Sequence, residues 1–221
     1  MIMEASGNVR VNVGCGASPT TGYVNYDNSL GVILARHKIV VTVMRWGRLL
    51  SEAQLKLIEQ ATEGNVRWAD ASKKIPLADH SVAVLYSSHM LEHLDRYQAK
   101  RFLVEAYRVL RPGGILRLVV PDLERLAKRY CVDGDADKFV QSTLLWRQDQ
   151  QRLNERLRYL LVGDRAHKWM YDEMSAKKLI ESIGFASVRG LGPGITSVVE
   201  PGALDLWERS EESVYVEAMR P

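Results

Sequence analysis

Two kinds of hydrophobic pattern alternate along the chain. Val9–Val13 is a short run rich in β-branched residues that ends at Gly14-Cys15-Gly16, the pattern of a strand running into a turn. Residues 23–26 give a second short strand ending at Asp27, and residues 65–68 a third, followed by Ala69-Asp70-Ala71. Residues 82–86 form a compact apolar run, which fits a strand buried on both faces. Residues 115–120 form another strand, closed by Pro121-Asp122, and residues 186–191 and 213–218 read as the last two. Helical periods lie between them. Ser51 can cap a helix over 51–61, in which Leu55 and Ile58 share a face and which Gly64 can end. Ala99, Phe102, Leu103, Ala106 and Leu110 recur at helical spacing over 95–110. Arg111-Pro112-Gly113-Gly114 stops that helix, because proline cannot continue it and glycine accepts positive φ. Residues 123–161 are mostly helical with a break near Asp133-Gly134, and Asp172 can cap a helix running to Ile183. Residues 30–43 are apolar and fit either a strand or a helix.

Strands alternating with helices predict an α/β fold with a doubly wound, mostly parallel sheet. The connection between the last two strands is long and carries Pro193, Gly194, Pro201 and Gly202, and loops of that length are uncommon without a task. A length of 221 residues suits one domain, 1–221, with 123–165 as a helical insert. The net charge of +3 implies no strong nucleic-acid or membrane field. The two cysteines, Cys15 and Cys131, form no CxxC pair, which disfavours a disulfide framework or zinc ribbon and fits a reducing, cytoplasmic compartment. The N-terminus lacks a signal-peptide pattern, and no apolar run approaches the roughly 20 residues that span a bilayer.

Several segments, in this order, resemble the motifs of class I S-adenosylmethionine-dependent methyltransferases. Val11-Asn12-Val13-Gly14-Cys15-Gly16 is similar to their glycine-rich first motif, and Tyr23-Val24-Asn25-Tyr26-Asp27 to the acidic end of their second strand. Ala69-Asp70-Ala71 and residues 75–82 resemble the third motif and the entry to the fourth strand. Residues 88–94 resemble the segment after that strand, and residues 105–114 the helix and turn before the fifth. The resemblance implies a Rossmann-like sheet of the seven-stranded type with a helical insert after the fifth strand. One departure stands out: only about a dozen residues separate Gly14 from Asp27, too few for the usual helix between the first two strands.

The resemblance implies S-adenosylmethionine as cofactor, with Gly14, Cys15, Gly16, Asp27, Asp70, Ala71 and Ser87 around it. Gly14 and Gly16 let backbone approach the cofactor closely, and Asp27 can accept from both ribose hydroxyls. Asp70 can accept from the adenine amino group, and the Ala71 amide can donate to the ring. Cys15 between two glycines is read as a small loop residue, since nothing nearby in sequence supplies a base. Methyl transfer needs alignment and, for a hydroxyl acceptor, a base. Of His37, His80, His89, His93 and His167, the candidate catalytic residues are His89, just past the fourth strand, and His167, in the cluster His167-Lys168-Trp169-Met170-Tyr171. That cluster reads equally as an acceptor pocket or as a hydrophobic staple for the next helix. Neither HExxH nor a clustered carboxylate–histidine spacing demands a metal, so none is expected.

Inserts at 123–165 often form a lid over the acceptor in this family. Here the insert carries Arg125, Lys128, Arg129, Arg147, Arg152, Arg156 and Arg158, with Arg165 at its end and Lys168 just beyond. Such a lid suits an acidic acceptor, while interleaved acids such as Asp149 and Glu155 equally fit a solvated face. Trp146, Tyr159 and Leu160 are candidates to bury it against the sheet or in a homodimer. The expected reaction is methylation at oxygen or nitrogen of a small molecule or glycan. Nucleic acid is disfavoured by the absence of an NPPY-like motif and of a strong basic balance. Two alternatives stay open: a non-catalytic cofactor-binding scaffold, and a nicotinamide-dependent oxidoreductase, which lacks its GxGxxG here.

Overall fold

The computed structural model describes residues 8–145 and 166–221. Seven strands form one sheet: β1 Val9–Val13, β2 Val24–Asp27, β3 Val66–Trp68, β4 Val82–Ser88, β5 Leu110–Pro121, β6 Ala186–Leu191 and β7 Ser213–Met219. Their order is β3-β2-β1-β4-β5-β7-β6, with β1 to β5 parallel and β7 antiparallel to both β5 and β6. Strand order reverses between β1 and β4, and ligands of open α/β sheets bind at the carboxyl ends of strands at such a switch. No helix lies between β1 and β2, as the short spacing predicts; residues 14–23 turn back directly.

Residues 30–43, ambiguous by pattern, are helical. They belong to α1 Leu30–Leu34 and α2 Lys38–Trp46, separated at residues 35–37. The capping residues act as their chemistry predicts. Ser51 opens α3 Glu52–Thr62 and Asp95 opens α4 Arg96–Val109, each through a reciprocal capping box. After β5, Asp122 caps α5 Leu123–Asp133, which ends at Gly134 in the left-handed region (φ +68°) before α6 Ala136–Thr143. Asp172 opens α7 Glu173–Glu181. Trp146, Arg147, Asp149, Arg152, Glu155, Arg156, Arg158, Tyr159, Leu160 and Arg165 lie outside the described residues. Among the described residues, no helix is long and apolar enough to cross a membrane.

One core packs Phe102, Leu103 and Ala106 of α4 and Leu179 and Ile180 of α7 against Leu85, Leu116 and Leu118 of the sheet. A second core joins Tyr86, Val119 and Tyr215 to Val198 and Leu204 of the β6–β7 connection. The long loop of residues 192–212 thus helps to cover that sheet surface. A buried ion pair anchors it: Arg117 meets Glu217 at 2.7 Å, and both side chains are inaccessible. Arg117 also donates to the Ile195 carbonyl, while Thr196 and Ser197 donate to Glu217. Burial pushes the Glu217 carboxyl up, but these donors and Arg117 outweigh it and hold the group below the usual carboxylate range. On the opposite side, Arg108 of α4 donates to the carbonyls of Ile75 (2.9 Å) and Leu77 (3.0 Å), and Glu105 accepts from the Ile75 amide. Those bonds tie the segment following Asp70 to α4.

Candidate active site

A cleft of about 780 Å³ opens at the carboxyl end of β1, β2 and β4. Gly14, Gly16 and Asp27 line it at one end, with Asp70 and Ala71 beside them. Gly14 and Gly16 have φ of +71° and +52°, the left-handed region that favours glycine. An added Cβ at Gly14 would stand 2.5 Å from Met90 Cγ, so close approach as well as φ fixes that position.

Asp27 is 7% exposed, and its Oδ2 accepts from the Gly16 amide at 2.9 Å. Its Oδ1 accepts from the Ser29 amide at 2.8 Å and from the Ser29 hydroxyl. A carboxylate offers about four acceptor sites. One is therefore free for a ligand hydroxyl, and a second opens when the Ser29 hydroxyl turns away. Asp70 accepts from the amide and hydroxyl of Ser72 and from Lys73 Nζ at 3.0 Å. Burial raises its carboxyl, but these bonds win and hold it below the ordinary range.

Two of the sequence-predicted positions meet the cleft differently. The Cys15 side chain packs with Val32, Leu57 and Val66, and burial pushes its thiol well up, as a loop residue without a base requires. Ser87 is 2% exposed within β4 and is not part of the cleft lining. Alternation along the strand carries its side chain into the interior, and Cys15 is likewise not part of the cleft lining.

The opposite end of the cleft is lined by His89, Glu92, His93, Leu144, His167, Lys168 and Arg209. His89 continues β4, its amide donating to the Val119 carbonyl at 2.9 Å. Its φ of +48° is rare for a non-glycine residue and turns the chain out of the sheet. Its Nε2 lies 3.0 Å from Ser213 Oγ, and its Nδ1 lies 3.3 Å from Glu92 Oε1 and 3.4 Å from the Arg209 guanidinium. The 192–212 loop therefore supplies a cleft residue as well as sheet cover. Residues 166–172 cross this end. The amides of Lys168 and Trp169 donate to the Glu92 carbonyl, the His167 amide to Leu144, and the Leu123 amide to Tyr171. This crossing sets His167 against His93, with ring centroids 5.0 Å apart. Burial pushes the His167 imidazolium down, only partly offset by the charge of Glu92. The cluster divides: His167 and Lys168 reach the cleft, Tyr171 is fully buried in the core, and Trp169 stacks under Arg96. Glu92 lines the cleft without being among the sequence-predicted site residues. The spacing His89-x-x-Glu92-His93 was its visible signal, and the distant His167 completes the group only in three dimensions.

Residues 11–118 match the methyltransferase domain family, a stretch just under half of the chain that holds β2 to β4 and most of β1 and β5. No curated protein sequence matches the chain. Among solved structures, a Thermotoga maritima protein described as an S-adenosylmethionine-dependent methyltransferase superposes with a TM-score of 0.50 at 17% identity, covering 96% of this chain and 82% of its own. The methyltransferase solved in complex with the Trm112 methyltransferase activator of Haloferax volcanii gives a TM-score of 0.50 at 11% identity, covering 98% and 83%. At these identities the structures speak to the fold alone. The domain match displaces the oxidoreductase alternative. Residues 11–118 are thus similar to the methyltransferase domain family, and the chain has the fold of S-adenosylmethionine-dependent methyltransferases of known structure.

Proposed function

We propose that this cleft binds S-adenosylmethionine at the Asp27–Asp70 end and methylates an oxygen or nitrogen of a small molecule or glycan at the His89–His167 end. The observation that carries the reading is the continuity of one cleft from the Asp27 carboxylate to Lys168 and Arg209. When bound, the cofactor supplies a methyl group on a sulfonium, which is already a good leaving group. The residues present fit it. Asp27 keeps acceptor capacity for ribose hydroxyls, Asp70 and the Ala71 amide face the adenine end, and Gly14 and Gly16 leave room for the backbone to close in. The chain's remaining work is orientation and proton removal. His167, kept neutral by burial, or His89, which pairs with Glu92 at 3.3 Å when it carries a proton, takes the proton of an acceptor hydroxyl. Lys168 and Arg209 favour an acceptor with anionic or hydroxyl-rich character. The single domain 1–221 carries 123–165 as a lid, whose Leu144 already reaches the cleft wall.

The test is acceptor-dependent formation of S-adenosylhomocysteine across panels of sugars, sugar phosphates and small carboxylates. Turnover should fall at least tenfold in His89→Gln or His167→Gln while cofactor affinity stays within about twofold. Cofactor binding without turnover on any acceptor would instead identify a scaffold.

A further inference from the structure

Glu92 is 1% exposed, yet neither carboxylate oxygen has a hydrogen-bond partner among the described residues. His89 Nδ1, 3.3 Å from Oε1, stands at ion-pair distance without hydrogen-bond alignment. A carboxylate buried in this way is strongly disfavoured unless a cation completes it, and buried charges are typically paired or coordinate a metal. One ligand atom each from Glu92, His93 and His167 lies within 4.8 Å of the other two. His93 Nδ1 contacts the Ala166 carbonyl at 3.3 Å. A carbonyl only accepts, so the ring proton sits on Nδ1 and the lone pair on Nε2. Metal-binding imidazoles are held in this manner, with the second nitrogen donating to a carbonyl or carboxylate. The frame is fixed as well, because the segment carrying His167 is hydrogen-bonded to the Glu92 carbonyl through Lys168 and Trp169.

We propose that Glu92, His93 and His167 bind a divalent first-row transition ion, with zinc the expected occupant and an open coordination position facing the cleft. Two imidazoles and one carboxylate are a ligand set of open, catalytic-type zinc sites. Nitrogen donors select against magnesium and calcium, which prefer all-oxygen shells. Zinc bonds of about 2.1 Å place tetrahedral ligand atoms roughly 3.4 Å apart. The observed spread closes with side-chain rotations that move the ligand atoms by about an ångström. The site shares its wall with His89, Lys168 and Arg209, so its place at the acceptor end rests on the methyl-transfer reading above. An ion there would polarise an acceptor oxygen, and with His167 engaged, His89 is left as the proton acceptor.

The experiment uses the full chain dialysed against chelator. It is titrated with Zn²⁺ by calorimetry and with Co²⁺ by visible absorption, and S-adenosylhomocysteine is titrated into the same samples. One ion per chain is expected, together with the Co²⁺ spectrum of a low-coordinate nitrogen and oxygen site. His93→Ala and His167→Ala should each weaken zinc by more than about 100-fold, because even residues that merely orient a ligand are worth about 10–100-fold. Glu92→Gln, which keeps the side chain's shape, should weaken it at least tenfold. Retained S-adenosylhomocysteine binding shows that each variant is folded. Homocysteine-nucleoside binding without any zinc uptake overturns the metal site alone. Zinc uptake without nucleoside binding overturns the cofactor reading and leaves the metal site standing. Zinc affinity unchanged in both histidine variants places the ion elsewhere and also overturns the proposal.

Discussion

Replacing Gly14 by alanine probes how closely the glycine loop is fitted to the segment after β4. Gly14 has φ +71°, and an added Cβ would lie 2.5 Å from Met90 Cγ and 2.7 Å from Met90 Cβ. Left-handed backbone costs a non-glycine residue about 1–2 kcal/mol. Forcing an extra carbon into a packed site costs about 1–3 kcal/mol, and Met90 Cβ, tied to its backbone, cannot swing aside. The sum is about 2–5 kcal/mol. At about 2–4 °C per kcal/mol for a domain of this size, melting should fall by roughly 4–20 °C. Gly16→Ala is the control, with φ +52° and nothing within 4 Å of its added Cβ. It should lose only the backbone cost, about 1–2 kcal/mol, while its methyl intrudes on the cleft and weakens S-adenosylhomocysteine. Met90→Gly, which removes both Cβ and Cγ, isolates the overlap. Calorimetric melting of wild type, Gly14→Ala, Met90→Gly and the double variant should reveal a favourable coupling of about 1–3 kcal/mol. Additive losses, or a Gly14→Ala protein that melts within about a degree of wild type, would refute the close-approach argument.

Asp27→Asn preserves shape but removes the charge that accepts from Gly16 and Ser29. Titration calorimetry should show S-adenosylhomocysteine weakened by about 1.5–3 kcal/mol, and unchanged affinity would remove Asp27 from the ribose site. Glu217→Gln breaks a fully buried pair with Arg117 and should cost about 3–5 kcal/mol in denaturant unfolding. The Glu217 carboxyl lies below its ordinary value when folded, so its contribution is complete above the unfolded value near about 4.3 and is lost as pH falls through the folded one. Wild type should therefore lose more stability on acidification than Glu217→Gln, and parallel pH profiles would contradict that linkage. Arg108→Ala frees the carbonyls of Ile75 and Leu77 and should cost about 1–3 kcal/mol. Hydrogen exchange over residues 70–80 should quicken, and unchanged protection there would show that Arg108 does not hold the segment following Asp70.

The sheet was legible because its strands are short, apolar and closed by marked residues such as Gly14, Asp27 and Asp122. The helix starts at Ser51 and Asp172 were legible because capping is local chemistry. Residues 30–43 were not, because α2 leaves Ile39, Val43 and Trp46 largely exposed, so apolar residues there do not trace a buried face. At the site, Asp27 and Asp70 were readable as strand-end carboxylates that now line the cleft. Ser87 was placed at the cleft by its position near the end of β4, but its side chain enters the interior. Least legible was the pairing of Glu92 and His93 with His167, which depends on backbone bonds from residues 168 and 169 back to the turn after β4. The same holds for the loop over 192–212. Its length announced a task, but its contact with His89 through Arg209 exists only in the folded chain.

The most direct test of the central claim is titration calorimetry of the intact chain with S-adenosylmethionine and S-adenosylhomocysteine, beside NADH and the Asp27→Asn variant. The account predicts one site per chain for both sulfur nucleosides, weakened in the variant, and no heat from NADH. Nucleoside binding that is indifferent to Asp27, or no binding at all, would contradict the placement of the cofactor in this cleft.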